Sequence, residues 1–170
     1  MKLEDSVITR HREGFSHGFT AITRGGEPDP VGGFDTGIDF GIYRQVEGEI
    51  VEEAHSKESV WVLMNGKVEV FLDGQTHVIE RQSIFDDPPS AIHIQPNPTT
   101  PVRLTSLSDQ VEWAVARTTN DRAVQSRLYT PRELEPEYRG DGLVQGACLR
   151  NVRLIFDYET RKDSNLVIGE

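Results

Sequence analysis

The chain has 170 residues, enough for one domain with a core of its own, and its 36% hydrophobic content excludes wholesale disorder. Its 18 Lys and Arg residues against 28 Asp and Glu residues give a net charge of -10, which disfavours nucleic-acid binding. The longest apolar run, residues 60–64, is far shorter than the roughly 20 residues of a membrane span, and no apolar signal core begins the chain. We therefore expect a cytoplasmic protein without a membrane segment.

Residues 1–37 are predicted to form an N-terminal arm of short strands followed by a loop. The strand candidates are residues 6–9 and 15–23, which are rich in Ser, Thr and Phe. From Gly25 to Gly37 the frequent Gly and Pro residues leave no periodicity, so this segment is predicted to be loop. A phosphate-binding loop is disfavoured because no G-x-x-x-x-G-K-[ST] motif is present and the segment is acidic.

Residues 38–170 are predicted to form one β-barrel domain. Asn65-Gly66 and Asp73-Gly74 are typical of type I′ turns, so they predict two hairpins between residues 60 and 79. Further strands are predicted at residues 83–85, 91–94, 102–106, 111–116, 150–158 and 165–168. Short strands at close spacing are typical of an all-β sandwich or barrel.

The best helix signal is the segment Thr130-Pro131-Arg132-Glu133. It combines a capping box with a proline at the first helical position. Because Pro136 follows closely, the predicted helix is short and lies near residues 131–135.

The polar residues of the central segment resemble an incomplete cupin metal site. Cupins are double-stranded β-barrels, or jelly rolls, with the motifs G-x5-H-x-H-x3-E-x6-G and G-x5-P-x-G-x2-H-x3-N, whose three histidines and one glutamate hold a divalent metal. Alignment of the first motif puts Glu53 and His55 at its histidine positions and Ser59 at its glutamate position. The second motif puts His93 at its histidine position. The chain therefore resembles the cupin barrel more closely than it resembles the cupin metal site.

Glu53 and His55 are two residues apart on an extended segment, so they face one side, where His93 could meet them across the barrel. Two imidazoles and one carboxylate could bind iron or zinc with open positions. Because Ser59 replaces a carboxylate ligand, we favour the alternative that these side chains line the barrel mouth as hydrogen-bonded polar groups without metal. We assign no catalytic residue and no metal ligand to this chain.

Five segments carry a resemblance to one family: Ser59–Val68, Ser83–His93, Glu112–Ala116, Tyr138–Gly142 and Arg150–Ile155. The second resembles the segment S-V-F-x-x-P-P-x-A-V-Y, and the last three follow an A-V strand, an R-G-x-G turn and an R-x-V-x-x-I strand in order. From about residue 38 to its end, the chain thus resembles the N-terminal half of 5-deoxy-glucuronate isomerase, a two-cupin enzyme family of bacterial inositol catabolism. The related 5-keto-4-deoxyuronate isomerase has a similar first half.

The resemblance implies part of an intramolecular oxidoreductase that interconverts an aldose and a ketose. In the family a metal polarises the carbonyl or enediol oxygen while a base moves a proton. That metal is held by the C-terminal cupin, whose W-S-S-Y-P-P-H-x-H segment does not occur in this chain. We therefore expect no cofactor in this chain, no activity of the chain alone, and a scaffold role against the C-terminal cupin domain or other subunits of a homo-oligomer.

Two alternatives stay open. The chain could be a stand-alone, metal-free cupin that binds a small sugar acid without turnover, because arginines lining a pocket can override the negative net charge. It could also belong to the 5-keto-4-deoxyuronate isomerase branch of the resemblance.

Overall fold

The computed structural model describes residues 14–26 and 35–170. The strands in this part of the chain are β1 Gly18–Thr23, β2 Asp39–Val46, β3 Ile50–Glu53, β4 Glu58–Leu72, β5 Gln75–Arg81, β6 Ala91–Ile94, β7 Val102–Ser106, β8 Gln110–Thr118, β9 Arg127–Tyr129, β10 Pro136–Arg139, β11 Arg150–Phe156 and β12 Ile168–Gly169. The same described residues form two 3-10 helices, Pro131–Glu133 and Leu143–Gly146. Within these residues, no helix has the length and apolar character needed to cross a membrane. The predicted strand at residues 6–9 and most of the predicted glycine-rich loop lie outside the described residues.

Strand β4 belongs to both main sheets of the barrel. Its first half pairs with β6 and β8 in a sheet of order β1-β2-β8-β4-β6-β9. Its second half pairs with β5 and β7, and β7 pairs in turn with β3. All these pairs are antiparallel, and a smaller sheet of order β10-β11-β12 completes the described fold.

The predicted hairpin turn at Asn65-Gly66 is wrong, because β4 continues through this point for a total of 15 residues. The strand pairing shifts register between residues 63 and 65, and Gly66 has a φ angle of 106°. A Cβ atom at Gly66 would lie 2.7 Å from the backbone oxygen of Gln110. The Asn-Gly pair therefore forms a bulge that bends β4 from one sheet into the other.

The second predicted turn, at Asp73-Gly74, is confirmed. Leu72 pairs with Gln75 at the end of the β4–β5 hairpin. Asp73 and Gly74 both have positive φ angles, 49° and 80°, as a type I′ turn requires.

Two apolar clusters lie on opposite faces of the larger sheet, which has the order β1-β2-β8-β4-β6-β9. The first fills the barrel interior between the two sheets and consists of Trp61, Leu63, Val68, Val70, Leu72, Ile79, Ile92, Ile94, Val102, Leu104, Val111, Trp113 and Val115. The second joins the outer face of that sheet to the C-terminal segment and consists of Val60, Ala91, Tyr129, Leu134, Ile155, Phe156 and Leu166. The strands at the centre of the larger sheet are consequently covered on both faces.

Two further strand predictions need correction, and the predicted short helix is confirmed. Residues 83–85 form a turn instead of a strand, because the Asp87 carboxylate accepts hydrogen bonds from the backbone N–H groups of Gln82 and Ser83. The predicted short helix near 131–135 is confirmed as the 3-10 helix Pro131–Glu133, in which the Glu133 carboxylate accepts a hydrogen bond from the backbone N–H of Thr130. The predicted strand at 165–168 shortens to β12, which begins at residue 168.

Candidate functional site

The three residues predicted to line the barrel mouth contact different partners. Glu53 is buried, and its two carboxylate oxygens accept hydrogen bonds of 3.2 and 2.7 Å from Arg117. His55 is exposed, and its Nδ1 atom accepts a hydrogen bond from the backbone N–H of Lys57. His93 is fully buried on the outer face of the larger sheet. The structure does not bring these three residues into one hydrogen-bonded group, and their pocket-lining role stays a prediction.

Inside the barrel, Arg117 is the central charged group. Its guanidinium carbon lies 5.4 Å from the ring centre of Trp61 and 5.2 Å from that of Phe19, within the range of a cation–π contact. Ser59 pairs directly with Arg117 between β4 and β8. Arg117 was not predicted as a site residue, although it continues the inward-facing alternation of buried residues along β8.

The two tryptophans of the interior differ in their hydrogen bonding. Their rings meet edge to face at 5.8 Å. The indole N–H of Trp113 donates to Oε1 of Gln45 at 2.7 Å. The indole nitrogen of Trp61 and the hydroxyl of Ser59 are buried and have no hydrogen-bond partner among the described residues. The polar groups near Arg117 are thus less completely paired than those near Gln45.

On the outer face of the larger sheet, one buried carboxylate accepts four hydrogen bonds. Oε1 of Glu58 accepts from Nε2 of His93 at 2.6 Å and from the hydroxyl of Ser164. Oε2 of Glu58 accepts from the side chain of Asn120 at 2.8 Å and from the backbone N–H of Asn165 at 3.0 Å. This carboxylate therefore ties β4 and β6 to the C-terminal segment.

These four donors also set the ionisation of Glu58. Burial on its own raises the pKa of a carboxyl group, because it disfavours the charged form. The hydrogen bonds from His93, Ser164, Asn165 and Asn120 outweigh burial and lower the pKa of Glu58 from 4.5 to about 2. Glu58 is therefore ionised at neutral pH, and it orients the His93 ring. That ring stacks on the ring of Phe156, with the two ring centres 4.8 Å apart.

The described side chains at the cupin-motif positions do not form a ligand set for a divalent metal. The oxygens of Glu53 are taken by Arg117, those of Glu58 are taken by four hydrogen-bond donors, and His55 lies in solvent. Within residues 14–26 and 35–170, no group of three or more His, Cys, Asp and Glu side chains is placed to hold a metal ion. The partial match to the cupin motifs therefore does not correspond to an assembled set of ligands.

A surface cavity of about 470 Å³ lies beside the end of β5. It is lined by Glu80, Arg81, Gln82, Asp87, Pro88 and Pro131. Arg81 has a fully buried side chain and forms an ion pair with Glu170, to which Arg153 also binds. The sequence did not predict Arg81 and Glu170 as site residues, because they come together from positions 89 residues apart in the chain.

The two antiparallel sheets joined by β4, with an apolar interior and almost no helix, define an all-β protein with a cupin-like barrel. A protein-family model matches residues 11–170. The chain belongs to the KduI/IolB family, that of 5-deoxy-glucuronate isomerase and 5-keto-4-deoxyuronate isomerase, as the resemblance predicted. The comparison with curated proteins gives no match.

Solved structures share the fold at low sequence identity. An IolB-like protein of Salmonella typhimurium LT2 matches with a TM-score of 0.61 and 21% identity, over 83% of this chain and 54% of its own. A putative glyoxylate-induced protein of Pseudomonas aeruginosa matches with a TM-score of 0.60 and 15% identity, over 85% of this chain and 50% of its own. This chain therefore spans about half the length of these two proteins.

Proposed function

We propose that this chain is the N-terminal, non-catalytic cupin domain of a sugar-acid isomerase of the 5-deoxy-glucuronate isomerase type, acting in inositol catabolism in the cytoplasm. Family membership supports the reaction class, and the match to half of two longer proteins supports a role as one domain of a larger enzyme. In this proposal the divalent metal and the groups that move the proton belong to the C-terminal cupin.

The observation that carries the non-catalytic role is the saturation of the buried carboxylates. A group that moves a proton during isomerisation must lie within hydrogen-bond reach of the substrate. Glu53 is held by a bidentate contact to Arg117, and Glu58 is held by four donors beneath the C-terminal segment. Neither carboxylate has a free oxygen to offer a substrate in this arrangement, so both support the structure of the domain.

A scaffold role also needs a surface for a neighbour. The small C-terminal sheet and the turn that follows β10 carry several exposed apolar side chains: Tyr138, Leu143, Val144 and Leu149. Exposed apolar groups close together are typical of protein contact surfaces. They support packing against the C-terminal cupin domain or against another subunit of a homo-oligomer.

A turnover assay tests the proposal. The purified 170-residue chain is incubated with 5-deoxy-glucuronate, with and without added Mn²⁺, Fe²⁺ or Zn²⁺, and the products are followed by proton NMR. We expect no conversion, whereas a two-cupin member of the family converts the substrate under the same conditions. Conversion by the pure chain that a chelator abolishes and added metal restores would contradict the non-catalytic role.

A second candidate is a stand-alone, metal-free cupin that binds a small sugar acid. The buried Arg81 and the neighbouring Arg153, which converge beside a cavity, favour this candidate. The reading frame after codon 170 separates the two: a second cupin with a P-x-H-x-H segment supports the isomerase domain, and a stop codon supports the stand-alone module. Comparison of 5-deoxy-glucuronate with 5-keto-4-deoxyuronate as substrates of the complete gene product separates the two branches of the family.

A further inference from the structure

The guanidinium of Arg81, at the end of β5, is fixed in orientation by backbone carbonyls. Its Nη1 donates to the oxygen of Leu63 at 3.0 Å, and its Nε and Nη2 donate to the oxygen of Asp87 at 3.2 and 2.9 Å. The oxygen of Ile84 accepts a further hydrogen bond from Nη2. The side chain has no exposed surface. Arg81 is thus a buried cation held in place by neutral groups, and the backbone oxygens do not neutralise its charge.

Two arginines converge on the carboxylate of Glu170. Nη2 of Arg81 lies 2.7 and 2.8 Å from the two carboxylate oxygens of Glu170, and Nη1 of Arg153 lies 2.9 Å from one of them. Arg153 is also held by the backbone oxygens of Phe85 and Asp87 at 3.3 Å. Side-chain exposure is 0% for Arg81, 14% for Arg153 and 27% for Glu170. The anion is therefore the most accessible member of the cluster.

The cluster adjoins the cavity of about 470 Å³, because Arg81 and Asp87 belong to both. This volume lies within the range of small-molecule sites, roughly 300–1,000 Å³. The carboxylate of Asp87 accepts hydrogen bonds from the backbone N–H groups of Gln82 and Ser83, which, with the nearby charges of Arg81 and Arg153, lower its pKa. The Asp87 carboxylate thus stabilises the loop around the cavity. Among the described carboxylates, only that of Glu170 accepts hydrogen bonds from both arginines.

We propose that Arg81 and Arg153 form a carboxylate-binding site, that Glu170 fills this site from within the chain, and that a small carboxylic acid competes with Glu170 for it from the cavity. A buried guanidinium without an anion is strongly unfavourable. Loss of the Glu170 carboxylate should therefore raise the affinity of the two arginines for another carboxylate. A bidentate, charge-assisted contact favours a carboxylate over a neutral hydroxyl group. This proposal deepens the second candidate function, a module that binds a small acid, and it does not rest on the isomerase proposal, because the site needs neither a metal nor a second domain.

The test compares the wild-type chain with Glu170→Ala, using D-glucuronate and its uncharged counterpart D-glucose as probes. Binding is measured by isothermal titration calorimetry, and the melting temperature is measured at the same probe concentrations. We expect Glu170→Ala to bind D-glucuronate at least about tenfold more tightly than the wild type does, with a matching rise in melting temperature, and to ignore D-glucose. Addition of Arg153→Gln to Glu170→Ala is expected to remove most of that gain.

Glu137→Ala is the matched control, because Glu137 also pairs with an arginine at 2.7 Å but lies on the surface away from the cavity. It is expected to bind D-glucuronate no better than the wild type. If Glu170→Ala does not fold, Glu170→Gln removes the charge and keeps the side-chain size, and the same gain is expected. Equal binding of D-glucuronate by the wild type and the folded Glu170 variant, or equal binding of D-glucose and D-glucuronate, would overturn the proposal.

Discussion

Nε2 of His93 lies 2.6 Å from Oε1 of Glu58, and neither side chain has exposed surface. The hydroxyl of Ser164 donates to the same carboxylate from the C-terminal segment, 106 residues further along the chain. One ionised group thus secures the contact between the outer face of the barrel and the segment that covers it. The stability of this contact is expected to depend on pH.

Glu58 is expected to contribute stability at neutral pH that is lost in acid. Its pKa falls from 4.5 to about 2 on folding, so its contribution is present above about pH 4.5 and disappears as the pH falls from 4.5 to 2. That pKa change corresponds to about 3 kcal/mol in the free energy of unfolding. Urea unfolding of the wild type and of Glu58→Gln at several pH values measures it. The difference between the two proteins should shrink toward pH 2, and a constant difference would contradict the assignment.

Truncation of two buried serines should affect the free energy of unfolding differently. Ser164→Ala removes a donor to the Glu58 carboxylate and is expected to cost about 1–3 kcal/mol. Ser59→Ala removes a buried hydroxyl without a partner among the described residues, and it is expected to leave stability unchanged or to raise it. Chemical unfolding at pH 7 measures both. A larger loss for Ser59→Ala than for Ser164→Ala would show that the Ser59 hydroxyl has a partner.

The ion pair between Glu53 and Arg117 is expected to matter because of its burial. Glu53→Gln leaves Arg117 buried without its anion and should cost about 3 kcal/mol. Glu137→Gln is the matched control, since that pair has the same 2.7 Å distance but is more than half exposed, and its free energy of unfolding should stay close to that of the wild type. Equal losses in thermal or urea unfolding would argue against burial as the cause.

The bend in β4 is tested at Gly66. Gly66→Ala places a methyl group 2.7 Å from the backbone oxygen of Gln110 at a positive φ angle, and it should cost about 3 kcal/mol. Gly74→Ala also has a positive φ angle but meets no atom within 4 Å, so it should cost about 1 kcal/mol. Unfolding free energies measure the pair, and a smaller loss at Gly66 would mean that the bend does not depend on glycine.

Local pattern in the sequence predicted the strands better than the faces they present. The turn at Asp73-Gly74 and the strands β6, β7 and β8 follow from turn residues and β-branched runs. The same reasoning failed at Asn65-Gly66, because an Asn-Gly pair fits a bulge inside a bent strand as well as a hairpin turn. Pairing of β4 with β8 decides between the bulge and the hairpin turn. This pairing is a long-range contact that local pattern does not encode.

The site was harder to predict for a related reason. All four residues of β6 are buried, so this strand has no alternation of polar and apolar residues that would show which face His93 occupies. His93 lies opposite Val60, on the face covered by Phe156 and its neighbours, away from Arg117 in the interior. Motif spacing placed His93 on the correct strand. The face that His93 occupies, and with it its hydrogen-bond partner, depends on tertiary packing.

The sharing of β4 between two sheets limits how the barrel can come apart. Backbone amides from Val60 to Leu63 and from Val68 to Phe71 lie on one continuous strand but are hydrogen-bonded to different sheets. Separation of either sheet removes the bend that holds the other in register. In hydrogen exchange the slowest amides of both sheets should therefore open with one common free energy, which would make the barrel a single cooperative unit.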